Sequence, residues 1–411
     1  MIYAAILGHG TVGSGVFDIF CDNGSVIDKN VGEEMRVKYV LDLRDFEGEK
    51  VQEFITHDFE EILNDDEVKV VAEVMGGLKP AYDFVKKLLE KGKAVVTSNK
   101  ELVAAHGDEL IRTARENNTN FLFEASVGGG IPIIRPLHNA LTADNILEIK
   151  GILNGTTNYM LTKMTQEGLE YDDILKEAQE KGYAERNPAA DVEGFDACRK
   201  IAILASIMTG KKVDYSDIHT EGITNISKTD IDYIKKMGKA IKLIGRAKKT
   251  ENGVEAWVAP MILDNEDPLS GVNDVFNAIL VKGDMVDDVM FYGKGAGKLP
   301  TASAVTADMV EAAKNIGKNI GGGWSSEGVK VEDIDNIDMS KFIRCEYTDR
   351  EKAEKLVRSI FKNIDMTDIG KENEFAFVTP KEKEAEINNK INILINDESV
   401  SAISNTIRFE R

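Results

Sequence analysis

Cysteine is scarce in this 411-residue chain, and its three copies, Cys21, Cys198 and Cys345, lie far apart with no CxxC pair. That spacing excludes a disulfide framework or a zinc site and leaves a reducing cytoplasm as the expected setting. The five histidines, His9, His57, His106, His138 and His219, show no metal-ligand spacing. Long apolar runs are missing too: stretches such as 201–208 fall well short of the roughly 20 residues that a membrane helix needs. Residues 1–7 are apolar without a basic leader or cleavage site, so they read as a buried strand. Basic residues are outnumbered, 51 against 71 acidic ones, for a formal net charge of −20. A field of that sign repels nucleic-acid backbones and anionic lipid, which excludes both as main partners. Any anionic ligand must be held by local donors. Repeats and low-complexity tracts are absent, and 42% hydrophobic with 30% charged residues excludes collagen, coiled-coil rods and a wholly disordered chain.

What is present is a chain long enough for two or three domains. Residues 1–130 alternate short apolar runs, read as strands at 3–7, 37–41, 68–74, 94–97 and 121–123, with helical patterns clearest at 80–91 and 110–116. Such alternation predicts a parallel sheet covered by helices, an α/β fold of the doubly wound Rossmann type. From about residue 145 the texture changes: strands are expected at 146–153, 254–263 and 287–292, the first two separated by a hundred residues rich in helix. The Ala- and Val-rich helix at 302–314 is expected to return to the first domain. This places an α+β domain at 145–299 between the two parts of a dinucleotide-binding domain, 1–144 and 300–320. A polar connector, 321–340, leads to a βαββαβ module at 341–411: strands at 342–347, 366–369, 374–378 and 400–409, helices at 350–362 and 381–394.

Gly8-His9-Gly10-Thr11-Val12-Gly13 directly follows the first strand and opens an apolar helix. The first glycine allows the tight turn, the second lets the backbone approach a pyrophosphate, and the third lets helix pack on strand. The helix N-terminus supplies donors and the positive end of a dipole. The other strand ends carry Asp42 to Arg44, Gly76-Gly77, Ser98-Asn99-Lys100 and Gly128-Gly129-Gly130, so polar and small residues gather on the ligand edge of the sheet. Asp42 is placed to accept from a ribose 2′-hydroxyl, as in NAD, and Arg44 to grip the 2′-phosphate of NADP. The cofactor is read as NAD(P), inclining to NADP.

The second informative run is 177–200. Gly182 and Tyr183 end one helix, Glu185 follows in a loop, and a new helix begins near 191–193. On it Asp196 and Lys200 stand four apart and share a face, heading a row that continues through Ile203 and Ile207. A lysine at the polar start of a buried stripe, held by an aspartate, has what the general acid of a carbonyl reduction needs: a proton to give and a fixed direction. Cys198, between them, reads as a small buried side chain, and His9 as a tolerated position inside the phosphate loop.

These residues resemble homoserine dehydrogenase. The match rests on Gly151-Ile152-Leu153-Asn154-Gly155-Thr156-Thr157-Asn158-Tyr159, on the run ending Asp196-Ala197-Cys198-Arg199-Lys200, on Ser98-Asn99-Lys100, and on Glu124 through Pro132. The resemblance, which covers roughly residues 1–315, implies NAD(P)-dependent interconversion of L-homoserine and L-aspartate 4-semialdehyde, a step toward threonine and methionine. It implies Lys200 as proton donor, with Lys100 as the rival near cofactor and substrate. Glu185 and Asp191 would bind substrate, and Asp196 would hold substrate and lysine in register. Gly182 and Gly297 would approach the cofactor, alongside Ser98 and Lys100. A monovalent cation, Na+, would sit on main-chain carbonyls of Glu124, Val127, Gly129 and Ile131. A homodimer or homotetramer is implied, with an exposed sheet of the second domain as the interface.

Two positions depart from the family. Asn187 stands where an acidic residue is common, which predicts altered substrate affinity. The C-terminal module looks like an ACT domain, a regulatory unit for amino-acid effectors, but Arg350 to Ala353 stand where a Gly-Val-Leu-type turn is usual. Assembly, or a different effector from threonine, is then the expected role. Two other readings are aspartate-semialdehyde dehydrogenase, which needs a nucleophilic cysteine with a partner base, and a non-catalytic NAD(P) sensor, which has no need of Glu185, Asp196 and Lys200.

Overall fold

The structure, a computed structural model, describes residues 1–410. Two units emerge: residues 1–147, 202–215 and 281–329 form the first, and residues 148–201, 216–280 and everything from Lys330 on form the second.

The first unit is built on a six-stranded sheet in the order Ile55–Thr56, Met35–Leu41, Ile2–Leu7, Val68–Glu73, Ala94–Thr97, Phe121–Leu122. Every pairing in it is parallel. Ala4, Ala5, Ile6, Leu7, Val70, Val71, Ala72, Val95 and Val96 are wholly buried, the signature of strands covered on both faces. Strand order reverses between Ile2–Leu7 and Val68–Glu73, so a crevice opens at their C-terminal ends. The expected strands stand within two residues of their predicted bounds, and Ile55–Thr56 is added, too short to show a period. Helix Ala81–Glu90 follows Pro80 and is closed by Gly92, as its punctuation implies. The helix expected at 110–116 is longer, Lys100–Glu116, because the Asn99 side chain caps it by accepting from Leu102 N. Helix Lys298–Lys314 returns to this sheet, where Ala302, Val305, Met309 and Ala312 join its core.

The second unit's sheet runs Phe276–Gly283, Ile146–Ile152, Ala240–Lys249, Val254–Leu263, Val400–Phe409, Asp338–Tyr347, Glu374–Val378, Asp365–Thr367. Two of these strands, Ala240–Lys249 and Phe276–Gly283, fall outside the sequence expectation, and the first lies within the stretch read as rich in helix. The run AIKLIGRAKK carries four basic residues and suits either period, yet Lys242 is buried in it. Its ammonium is accommodated by Val272 O at 2.5 Å and Asn273 Oδ1 at 3.1 Å. Only tertiary partners make a lysine acceptable there.

The C-terminal elements follow the expected βαββαβ order, Asp338–Tyr347, Arg350–Ile360, Asp365–Thr367, Glu374–Val378, Glu384–Ile395, Val400–Phe409, with a two-residue strand, Glu382–Lys383, added where the second helix is expected to begin. Ile343, Val357, Phe361, Phe375, Phe377 and Leu394 form their core. The last strand also pairs in parallel with Val254–Leu263, Met261 against Arg408 and Ile262 against Phe409, so the module's sheet continues that of the preceding domain. The connector 321–340 is not featureless: Ser325–Gly328 pairs with Lys211–Lys212, and Val331 bridges Val254. Among the described residues no helix is long and apolar enough to cross a membrane.

Candidate active site

In the first unit, the turn after the first strand is shaped by what glycine lacks. A Cβ on Gly13 would lie 1.9 Å from the Gly8 carbonyl oxygen, so helix Thr11–Asp22 can pack on its strand only with glycine there. A Cβ on Gly10 would meet no protein atom within 4 Å. Protein packing does not ask for glycine at that position; an approaching pyrophosphate does. The helix has no side-chain cap and no acid in its first turn. Its first N–H groups, at Thr11, Val12 and Gly13, are therefore donors for an anion.

Asp42 follows the strand Met35–Leu41 and is saturated with donors. Its carboxylate accepts from His9 N at 2.8 Å, Arg44 N at 3.0 Å, Arg44 Nε at 2.9 Å and an Arg44 terminal nitrogen at 3.0 Å. The Arg44 guanidinium holds this carboxyl well below the usual carboxylate range. The same guanidinium donates to His9 O and lies 5.0 Å over the Phe46 ring. His9 meets Phe46 edge-on, and burial lowers its pKa, so it stays neutral.

At the neighbouring strand ends, Glu73 is wholly buried and accepts from Met75 N (2.9 Å), Gly76 N (3.3 Å) and Thr97 Oγ1 (2.6 Å). Burial pushes its carboxyl up. Asn99 donates to Gly77 O at 2.6 Å while capping the helix that Lys100 begins. Ser98 lies between the strand Ala94–Thr97 and that cap. Glu73 and Asn99 thus bind the crevice rim together. A single acid ending an apolar strand gives Glu73 no signature in the sequence.

The loop after the sixth strand is organised by buried charge. Glu124 Oε1 accepts from Ile133 N and Ile134 N, and Oε2 from Arg135 N and Arg135 Nε. Glu124 N donates to Asp308 Oδ2 at 2.8 Å, and Arg135 lies 3.4 Å from the other Asp308 oxygen. Complete burial pushes Asp308 up to about 7. Gly129 is left-handed (φ +57°), and a Cβ there would lie 2.2 Å from Gly295 O. Turn bonds use the carbonyls of Phe123 and Gly128, neither of them in the set Glu124, Val127, Gly129, Ile131. Among the described residues no group of three His, Cys, Asp or Glu converges as a metal site, so a cation here depends on the backbone. Gly297 precedes helix Lys298–Lys314 as its N-cap.

In the second unit, helix Phe195–Thr209 brings Lys200 Nζ to 2.7 Å from Asp196 Oδ2, both side chains buried. The ammonium also donates to Leu153 O at 2.8 Å. Asp191, on the short helix Ala189–Val192, joins them through Asn154, whose Nδ2 donates to Asp191 Oδ1 at 2.7 Å and Asp196 Oδ2 at 3.0 Å. Gly182 and Glu185 stand outside this network, in the exposed loop after helix Tyr171–Glu180; Gln179 holds that loop by donating to Glu185 O. Asn187, in the same loop, accepts from Ala189 N and so helps start the next helix. Burial pushes the Cys198 thiol up, the opposite of what a nucleophile needs. A cavity of about 680 Å³ lined by His219, Asn252, Lys330 and Glu332 contains none of these residues.

Two family models match the chain: "Homoserine dehydrogenase, NAD binding domain" over residues 8–124 and "Homoserine dehydrogenase" over 132–310. Homoserine dehydrogenase of Bacillus subtilis (strain 168) is 38% identical, with 100% of this chain and 98% of that one covered. A crystal structure of a homoserine dehydrogenase from Thiobacillus denitrificans superposes with a TM-score of 0.90 at 32% identity, covering 100% of this chain and 98% of that one. A hyperthermophilic archaeal homoserine dehydrogenase in complex with NADPH matches 76% of this chain and 97% of its own, with a TM-score of 0.64 at 27% identity. With the phosphate loop and the buried aspartate–lysine pair in place, these likenesses show that the chain belongs to the homoserine dehydrogenase family, NAD(P)-dependent oxidoreductases acting on a CH–OH group.

Proposed function

We propose that Lys200 is the proton donor when L-aspartate 4-semialdehyde is reduced to L-homoserine, and that NADP(H) is the preferred cofactor. The bound nicotinamide supplies the hydride. The observation that carries this reading is the buried Lys200–Asp196 pair. Two of the three ammonium N–H bonds are directed to Asp196 and Leu153, which aims the third. As the carbonyl carbon gains the hydride, Lys200 gives its proton to the alkoxide oxygen and is recharged from solvent; in the oxidising direction it takes the hydroxyl proton. Glu185 and Asp191 bind the substrate ammonium, and Asp196 keeps the lysine in register. Lys100 is the alternative proton donor.

For the cofactor, Asp42 already accepts four hydrogen bonds, three of them from Arg44. It is therefore poorly disposed to take a ribose hydroxyl, whereas Arg44 is suited to a 2′-phosphate. Carbonyls of Glu124, Val127, Gly129 and Ile131 hold a structural Na+, consistent with turn bonds that use two other carbonyls of the loop. The C-terminal module is ACT-like in its βαββαβ order. Helix Arg350–Ile360 starts directly after Asp349 caps it, in place of a glycine turn. The module's role is assembly of a homodimer or homotetramer, or binding of an effector other than threonine.

The test is oxidation of NADPH and of NADH by aspartate semialdehyde, followed by absorbance, for the natural chain and Lys200→Ala. The expected loss is about 10²–10⁴-fold in kcat, with NADPH binding by fluorescence unchanged. Full activity in Lys200→Ala would remove it from the chemistry and promote Lys100.

A further inference from the structure

Asn154 ends the loop after strand Ile146–Ile152 and is 5% exposed. Its side-chain oxygen accepts from Thr157 N at 2.9 Å and Thr157 Oγ1 at 3.0 Å, capping helix Gly155–Glu167. Those donors orient the amide. With Oδ1 facing the helix, Nδ2 must face the two carboxylates, and it donates to Asp191 Oδ1 and Asp196 Oδ2. The flipped amide would set its oxygen against two carboxylates and its NH2 against an N–H, so only one orientation satisfies every partner.

We infer that Asn154 is a positioning residue for the proton transfer: its amide bridges Asp191 to Asp196 and shares with Lys200 the one carboxylate oxygen that holds the ammonium. This rests on the reading of Lys200 as proton donor. Asp196 Oδ2 accepts from both Lys200 Nζ (2.7 Å) and Asn154 Nδ2 (3.0 Å). Leu153, the preceding residue, takes a second N–H of the same ammonium through its carbonyl. One dipeptide therefore addresses both halves of the acid. The amide's two N–H bonds offset the repulsion between neighbouring carboxylates without adding charge. They also draw on the oxygen that grips Lys200. A cap alone would be served equally by serine or aspartate; bridging two carboxylates is not.

Asn154→Asp and Asn154→Ser both keep a capping oxygen, and the test compares them with Lys200→Ala in the full chain. In Asn154→Asp a third carboxylate favours the protonated ammonium. The acid limb of the kcat/KM profile for homoserine oxidation should then move up by about one pH unit, and kcat should fall roughly 10–100-fold. Asn154→Ser should lose kcat about tenfold, with its melting temperature within a few degrees of the natural chain. Cofactor KM should stay unchanged in both. An unshifted pH profile in both variants overturns the inference, whether activity is full or falls only with the melting temperature. Should Asn154→Asp fail to fold, a natural kcat in Asn154→Ser overturns it alone. If Lys200→Ala stays active, the underlying reading fails; if it is dead while both Asn154 variants behave as the natural chain, only the role of Asn154 falls.

Discussion

The Asp42 carboxylate is saturated by Arg44 and His9, and the Arg44 side chain is the more exposed of the pair. Arg44→Ser should lower kcat/KM for NADPH by about 10–100-fold, the worth of charge-assisted hydrogen bonds to a phosphate. It should leave the value for NADH unchanged or higher, since Asp42 is then released to a ribose hydroxyl. Steady-state kinetics with both cofactors checks this, and equal losses would mean that Arg44 serves the fold rather than the phosphate. At this scale the sequence was legible where chemistry is local: the glycine spacing of the phosphate loop and the four-residue step from Asp196 to Lys200 both hold in the structure. Asn154 and Glu73 were not legible as organisers, because an amide or a carboxylate takes its meaning from partners that lie 20 or more residues away.

Among elements, the loop 124–135 and helix Lys298–Lys314 are joined by Glu124, Arg135 and Asp308. Asp308, raised to about 7 by burial, binds its proton more tightly folded than unfolded. Its stabilising contribution is therefore complete below about pH 4 and lost as pH rises through about 7. The stability of the natural chain relative to Asp308→Asn should fall by on the order of 2–4 kcal/mol between pH 5 and pH 8, measured by urea unfolding at each pH. A difference independent of pH would show that Asp308 is already ionised across that range. The strand Ala240–Lys249 shows where element reading fails: Lys242 looks like a surface residue until Asn158, Val272 and Asn273 surround it.

For the molecule as a whole, the C-terminal module is fastened by buried charge as well as by strand pairing. Arg408 is 3% exposed and donates to Glu384 at 2.6 and 3.0 Å and to Glu221 at 2.6 Å. Burial alone would raise Glu221, but His219 and Arg408 outweigh it and bring the carboxyl down to about 2. Arg408→Met strands Glu384 in the core and should cost about 3–5 kcal/mol in urea unfolding. Adding Glu384→Met should recover part of that loss, because the orphaned charge goes with it. No recovery in the double variant would locate the stabilisation in the strand pairing instead.

The sequence by itself determined the α/β alternation, the phosphate loop, the aspartate–lysine pair and the order of elements in the C-terminal module. Each depends on neighbours within a turn or a strand, where period and turn chemistry act. Tertiary structure alone decided that Glu124 meets Asp308 across 184 residues of chain. It also decided that a lysine-bearing run is a core strand and that the last strand continues a sheet begun at Ile146. Buried polar groups need partners, and those partners are chosen by the folded geometry rather than by the residues beside them.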